Sequence, residues 1–138
     1  MKSKILSILF FLLLMFISCR QEIVPPDSSL ENINEPQLTR TNSSYTFSIN
    51  ANRITETVID NTFLNTFKSR VRPVISGHSS GSVEIIIQVD QNNILYSALF
   101  DDDTNGTFAE LEGFQPKVII FVFNNFTGKL KVNLTDID

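Results

Sequence analysis

The chain has 138 residues, a formal net charge of −4, one cysteine, one histidine and no tryptophan. Its length allows a single small domain, and its acidic balance leaves no electrostatic footprint for nucleic acid. With Cys19 alone, no disulfide can form within the chain and no zinc site can be assembled.

The first segment is the most informative. Lys2 and Lys4 precede an apolar run from Ile5 to Ile17, relieved only by Ser7, and then come Ser18 and Cys19. A run of this length fits a secretory apolar region, about 7–15 residues, better than a membrane-crossing helix, about 20. The order of basic start, apolar run, small residue and cysteine resembles a bacterial lipoprotein signal. Phe16 stands where that family usually has Leu, while Ile17, Ser18 and Cys19 match its pattern. The resemblance covers the first 19 residues. It implies cleavage after Ser18, acylation of Cys19 by fatty chains such as palmitate, and attachment to a membrane. Arg20 follows the cysteine where enteric bacteria place an Asp for inner-membrane retention, so the resemblance implies the outer membrane, facing periplasm or cell surface.

Without residues 1–18, which include Lys2 and Lys4, nine basic residues face fifteen acidic ones, a charge of −6. An acidic chain is repelled by anionic headgroups, so lipid must hold it, and several acyl chains hold stably. Residues 19–41 read as lipidated cysteine and tether, rich in Pro, Ser, Thr and Asn. Residues 42–138 read as the domain, about 95 residues and long enough to bury a core of its own.

Period-two alternation dominates that domain. Tyr45, Phe47 and Ile49 predict one half-buried strand; Val83, Ile85, Ile87 and Val89 predict a longer one. Gln91-Asn92-Asn93 predicts a turn, and Ile94 to Phe100 the returning strand. A shorter strand is expected over Thr107–Leu111. Val118 to Phe123 is apolar on both faces, as in a central strand covered on both sides. Leu130, Val132 and Leu134 alternate in the last strand, after an expected turn over Asn124–Gly128. From Arg53 to Val71 two readings stand: Ile59, Phe63, Phe67 and Val71 sit four apart and would stripe a helix, whereas the β-branched content favours strand with one short helical turn. Pro73 and the run Ser76–Ser82 predict a loop. Seven or eight short strands without a long helix give an all-β fold, a small antiparallel β-sandwich of immunoglobulin-like or jelly-roll-like type. From Ser82 onward the strand and turn spacing resembles the pre-peptidase C-terminal type of β-domain, which implies a non-catalytic binding or targeting module.

The richest chemical motif runs from Asp101 to Glu112 and satisfies the spacing of an EF-hand calcium loop. In that reading Asp101, Asp103 and Asn105 supply side-chain oxygens, Thr107 a carbonyl, Ala109 a bridged water and Glu112 a bidentate carboxylate. Gly106 takes the sharp bend. Gly113 and Pro116 block an exiting helix. The competing reading is a plain hairpin turn on Asn105-Gly106 with solvated acids. His78 lies among Ser76, Ser79 and Ser80, a serine and base pair without the rigid support that catalysis needs. The expectation is therefore a non-enzymatic module binding a protein or glycan partner or serving the envelope structurally. A small hydrolase is the remote alternative. Tyr45, Tyr96 and Phe126 are the aromatic candidates for sugar contact.

Overall fold

The computed structural model describes residues 32–137. The signal segment, Cys19 and the first part of the tether lie outside the described residues. The fold is all-β. Six strands follow in order: β1 Gln37–Arg40, β2 Ser44–Asn61, β3 Lys68–Asp90, β4 Asn93–Phe100, β5 Ala109–Glu112 and β6 Val118–Asp136. They form one antiparallel sheet in the order β1-β2-β6-β3-β4, with β5 on β3.

Three of these strands are far longer than the few residues usual in small domains, and each is broken near its middle. The ladder slips between Ala51 and Glu56 on β2, and between Ser76 and Ser82 on β3. The breaks align across the sheet, so every long strand contributes one half to each of two layers. A five-stranded layer contains β1, Ser44–Ala51, Gly128–Asp136, Lys68–Ser76 and β5. A four-stranded layer contains Ile54–Asn61, Val118–Phe126, Ser82–Asp90 and β4.

Phe47 and Phe121 establish how the layers meet. Phe47 pairs with Val132 in one layer, and Phe121 pairs with Val58 and Ile85 in the other. Their rings nevertheless stack with centroids 3.9 Å apart. The sheet is therefore folded over on itself, and its two halves pack inner face to inner face as a sandwich. Tyr45, Phe47, Ile49, Leu130, Val132 and Leu134 fill one side of the core; Val83, Ile85, Ile87, Ile119, Phe121 and Phe123 fill the other.

The crease runs through residues whose backbone is suited to sharp bending. Arg53, Gly77, Gly81 and Asn125 all have positive φ, the left-handed region that Gly adopts freely and Asn tolerates. Backbone groups released from the ladder are taken up by hydroxyls. The Arg53 amide donates to Thr127 Oγ1 at 2.9 Å, and the Asn125 amide to Thr55 Oγ1 at 2.8 Å. Ser80 Oγ donates to the Asn125 carbonyl at 3.1 Å. Phe126 sits buried at the apex, 5.7 Å from the Phe123 ring.

This crease corrects two sequence expectations. Ser76–Ser82 is not a loop, and Asn124–Gly128 does not reverse the chain; both lie inside strands, β3 and β6. Gly, Ser and Asn mark any departure from regular extension, and a bulge uses the same residues as a turn. Seven or eight short strands thus become six, three of them shared between layers. The Arg53–Val71 region contains no helix: β2 continues to Asn61 and β3 begins at Lys68. The ordered sheet also starts earlier than position 42, because Gln37–Arg40, assigned to the tether, pairs with Tyr45–Ser48.

The end opposite the crease is closed by two connections, 62–67 and 113–117. Leu64 plugs the core with no exposure. Thr62 Oγ1 donates to the Pro116 carbonyl at 2.6 Å, and the Gly113 amide to the Phe67 carbonyl at 2.9 Å. Gln115 donates through Nε2 to the Leu64 carbonyl.

Candidate functional site

The acidic segment is extended. Instead of curling into a loop, residues 103–112 run antiparallel to the first half of β3. Asp103 Oδ1 accepts the His78 amide at 2.7 Å. Thr104 exchanges backbone hydrogen bonds with Ile75 at 3.0 and 3.3 Å. The Gly106 carbonyl accepts from Arg72 Nε at 3.0 Å. The Phe108 ring lies 4.3 Å under the Arg70 guanidinium. Ala109–Glu112 then pairs with Lys68–Val71. Glu110 bonds Arg70 at 2.7 Å and Glu112 bonds Lys68 at 3.2 Å. The Arg70 contact holds the Glu110 carboxyl below its ordinary pKa.

Asp103 therefore stands beside position 78 and Glu112 beside position 68 of one strand. Lys68 and Ile75, the partners of Glu112 and Thr104, are seven residues apart on β3, about 23 Å at 3.3 Å per residue, so Glu112 and Asp103 lie more than about 20 Å apart. The oxygen set of Asp101, Asp103, Asn105, Thr107 and Glu112 is not brought together, and one ion cannot be ligated by all of it. Among the described residues, no three His, Cys, Asp or Glu side chains are grouped as a metal site. The Asn105-Gly106 hairpin does not form either, since Thr104 bridges Ile75 rather than Thr107. Both readings counted spacing along the chain, whereas β3 draws the segment out straight.

His78 belongs to the crease. Its Nε2 lies 3.0 Å from the Gly81 carbonyl, and its ring packs 5.7 Å from Phe126. Ser80 Oγ, a sequence candidate for its nucleophile, instead bonds Asn125 and Thr127. These groups brace a bend. Of the sugar-contact candidates, Tyr45 and Phe126 are fully buried and Tyr96 packs partly against the core.

Tyr45 has a second significance. Arg40 reaches from β1 to Asp60 on the other layer through two hydrogen bonds, 2.9 and 2.6 Å. This pair ties the layers at the edge where the fold is open. The Tyr45 hydroxyl is buried nearby without a hydrogen-bond partner of good geometry. Burial first, and then the charge of Asp60, raise its pKa well above the ordinary phenol value.

The two outer faces differ in kind, although the two inner faces are alike. On the five-stranded layer the outward rows read Thr46–Asn133–Arg72, Ser48–Lys131–Val74 and Asn50–Lys129–Ser76. This face is polar and basic. An open groove of about 840 Å³ crosses it, bounded by Asn32, Glu35, Thr46, Ser48 and Lys131. The leading segment lies along the same face, with Ile33 bridging Asn50. On the four-stranded layer the outward rows read Asn61–Val118–Gln88–Ile94, Ile59–Ile120–Ile86–Ser97 and Thr57–Val122–Glu84–Leu99. Seven of these twelve positions are apolar and Glu84 carries the only charge. Ile59 and Leu99 are each 66% exposed.

An antiparallel sheet with one face in water normally shows polar side chains there. The pattern of Val118–Phe123 already contained this anomaly, because it asks for cover on both sides. Ile119, Phe121 and Phe123 receive theirs in the core; Val118, Ile120 and Val122 are only partly covered. No protein-family model matches this chain, and a search of curated proteins finds no match.

Proposed function

We propose that this protein is a non-enzymatic, lipid-anchored envelope module whose β-sandwich binds another protein. The apolar outer face of the four-stranded layer carries the reading. A contiguous apolar patch of a few hundred Å² on a small domain marks an interaction surface, and this one spans every strand of its layer. The basic start, apolar run and Ser18-Cys19 support the anchor. An acylated Cys19 would hold the module at the outer membrane, facing periplasm or surface. The leading residues from Asn32 join the domain beside the polar face, with Ile33 bridging Asn50. The spread of the acidic segment along β3 gives calcium no part in this reading.

Labelling cells with palmitate tests the anchor. Label and membrane recovery are expected in the parent chain and lost together in Cys19→Ser; an unlabelled parent chain would remove the anchor from the proposal. The polar groove favours a second reading, a glycan with anionic groups. Such binding would weaken with salt and in Lys131→Ala, and insensitivity to both would discard it.

A further inference from the structure

We infer that the occupant of the apolar face is a second copy of this chain, stacked face to face and rotated about an axis lying across the strands. The inference rests on the reading of that face as a binding surface and names its partner.

The patch suits another sheet. Ile59, Ile86, Ile120, Val118 and Val122 are β-branched side chains on a pleated surface, and sheets of this kind interdigitate at about 10 Å separation. A two-fold interface must be complementary to itself, which a nearly uncharged apolar face satisfies without like-charge contact. Four strands by three outward rows cover roughly 400 Å² of sheet plane. The corrugated accessible surface is larger than its projection, and with the rim it approaches the ~800 Å² per partner of a stable complex.

Charge selects the direction of stacking. Glu84 lies in the row nearest the crease, whereas Lys117, exposed, precedes Val118 at the other end. A two-fold across the strands turns one copy end for end over the other. It separates the two Glu84 carboxylates and brings each toward the far end of the opposite copy's layer, where Lys117 and Asp90 are both exposed. Glu84 also accepts a hydrogen bond from Ser97 Oγ at 2.9 Å, so it enters the interface already partnered. The chain outside the domain permits the arrangement. Twelve residues, 20–31, separate Cys19 from Asn32, and at full extension they span about 40 Å. Both copies of a stacked pair can therefore be held by one bilayer.

The test is made on the full chain in membranes and after solubilisation in mild detergent. Ile120→Cys and, on the opposite face, Thr46→Cys are treated with a short bismaleimide. The expected product is a covalent dimer from Ile120→Cys and none from Thr46→Cys. In sedimentation the parent chain should run as a dimer. Lys117→Glu, a rim change that leaves the core intact, should weaken the dimer about tenfold, and adding Glu84→Lys should restore it. Equal cross-linking from both faces, or a parent chain monomeric with no cross-link, overturns the proposal. A cross-link from Ile120→Cys to a product of another mass overturns self-association while keeping the face as a binding surface. No cross-link of any kind from that face overturns both readings.

Discussion

Replacing Gly81 by Ala tests the account of the crease directly. Gly81 has φ +73, and a Cβ there would lie 2.2 Å from the Asn125 carbonyl oxygen and 2.3 Å from that of Asn124. Both atoms are backbone, so β3 and β6 would have to separate where Ser80 Oγ bonds the Asn125 carbonyl at 3.1 Å. Gly77 is the control: its φ is +64, but nothing lies within 4 Å of an added Cβ. In Gly77→Ala the left-handed conformation costs about 1–2 kcal/mol, partly offset by about 0.4–1 kcal/mol from the stiffer unfolded chain. The net loss is about 0.5–1 kcal/mol. Gly81→Ala carries the same cost, plus about 1 kcal/mol for the lost hydrogen bond and 1–2 kcal/mol of local strain, about 3 kcal/mol together. A kcal/mol is worth about 4 °C in a domain near 100 residues. Thermal unfolding followed by circular dichroism should fall by about 2–4 °C for Gly77→Ala and by about 12 °C for Gly81→Ala. Equal shifts would refute the close approach of β3 and β6 at the fold line.

Tyr45→Phe should be neutral or stabilising by up to ~1 kcal/mol, since it removes a buried hydroxyl without a good partner. The raised pKa of Tyr45 means that the unfolded chain ionises first, from about pH 10. Stability is therefore full below that pH and lost as pH rises above it, and Tyr45→Phe should flatten this alkaline loss in a pH series of melts. Leu64→Ala, at a fully buried plug, should cost about 2–5 kcal/mol in urea unfolding; a loss under ~1 kcal/mol would mean that the end is not closed as described. Arg40→Ala should cost about 1–2 kcal/mol, between surface and buried pairs, because Asp60 is 14% exposed and Arg40 35%. Millimolar calcium and chelator should give superimposable melts, and a calcium shift abolished in Glu112→Gln would show that the acidic segment closes on an ion after all.

Where one residue's neighbours along the chain decided the outcome, the sequence was legible. Alternation at Tyr45–Ile49, Val83–Ile87 and Leu130–Leu134 gave strands with the correct inward residues, because a strand's period is two whatever it pairs with. The all-β class followed. The acidic segment was misread for the opposite reason. Its spacing satisfied both a calcium loop and a hairpin, and neither formed once β3 supplied a longer partner for it. The Phe47 and Phe121 contact had no local signal at all.

By itself, then, the amino-acid order determined where the chain alternates, most of the inward positions of those stretches, and the acidic balance, all properties of residues a few positions apart. Tertiary structure alone decided that three strands bend together and that one sheet makes both layers. It also decided that one outer face is polar and the other apolar. Those outcomes depend on cross-strand register, which joins residues far apart in the chain. A Gly or Asn can announce a break in extension, but only the neighbouring strands determine whether the chain turns back there or continues through a bulge into a second layer.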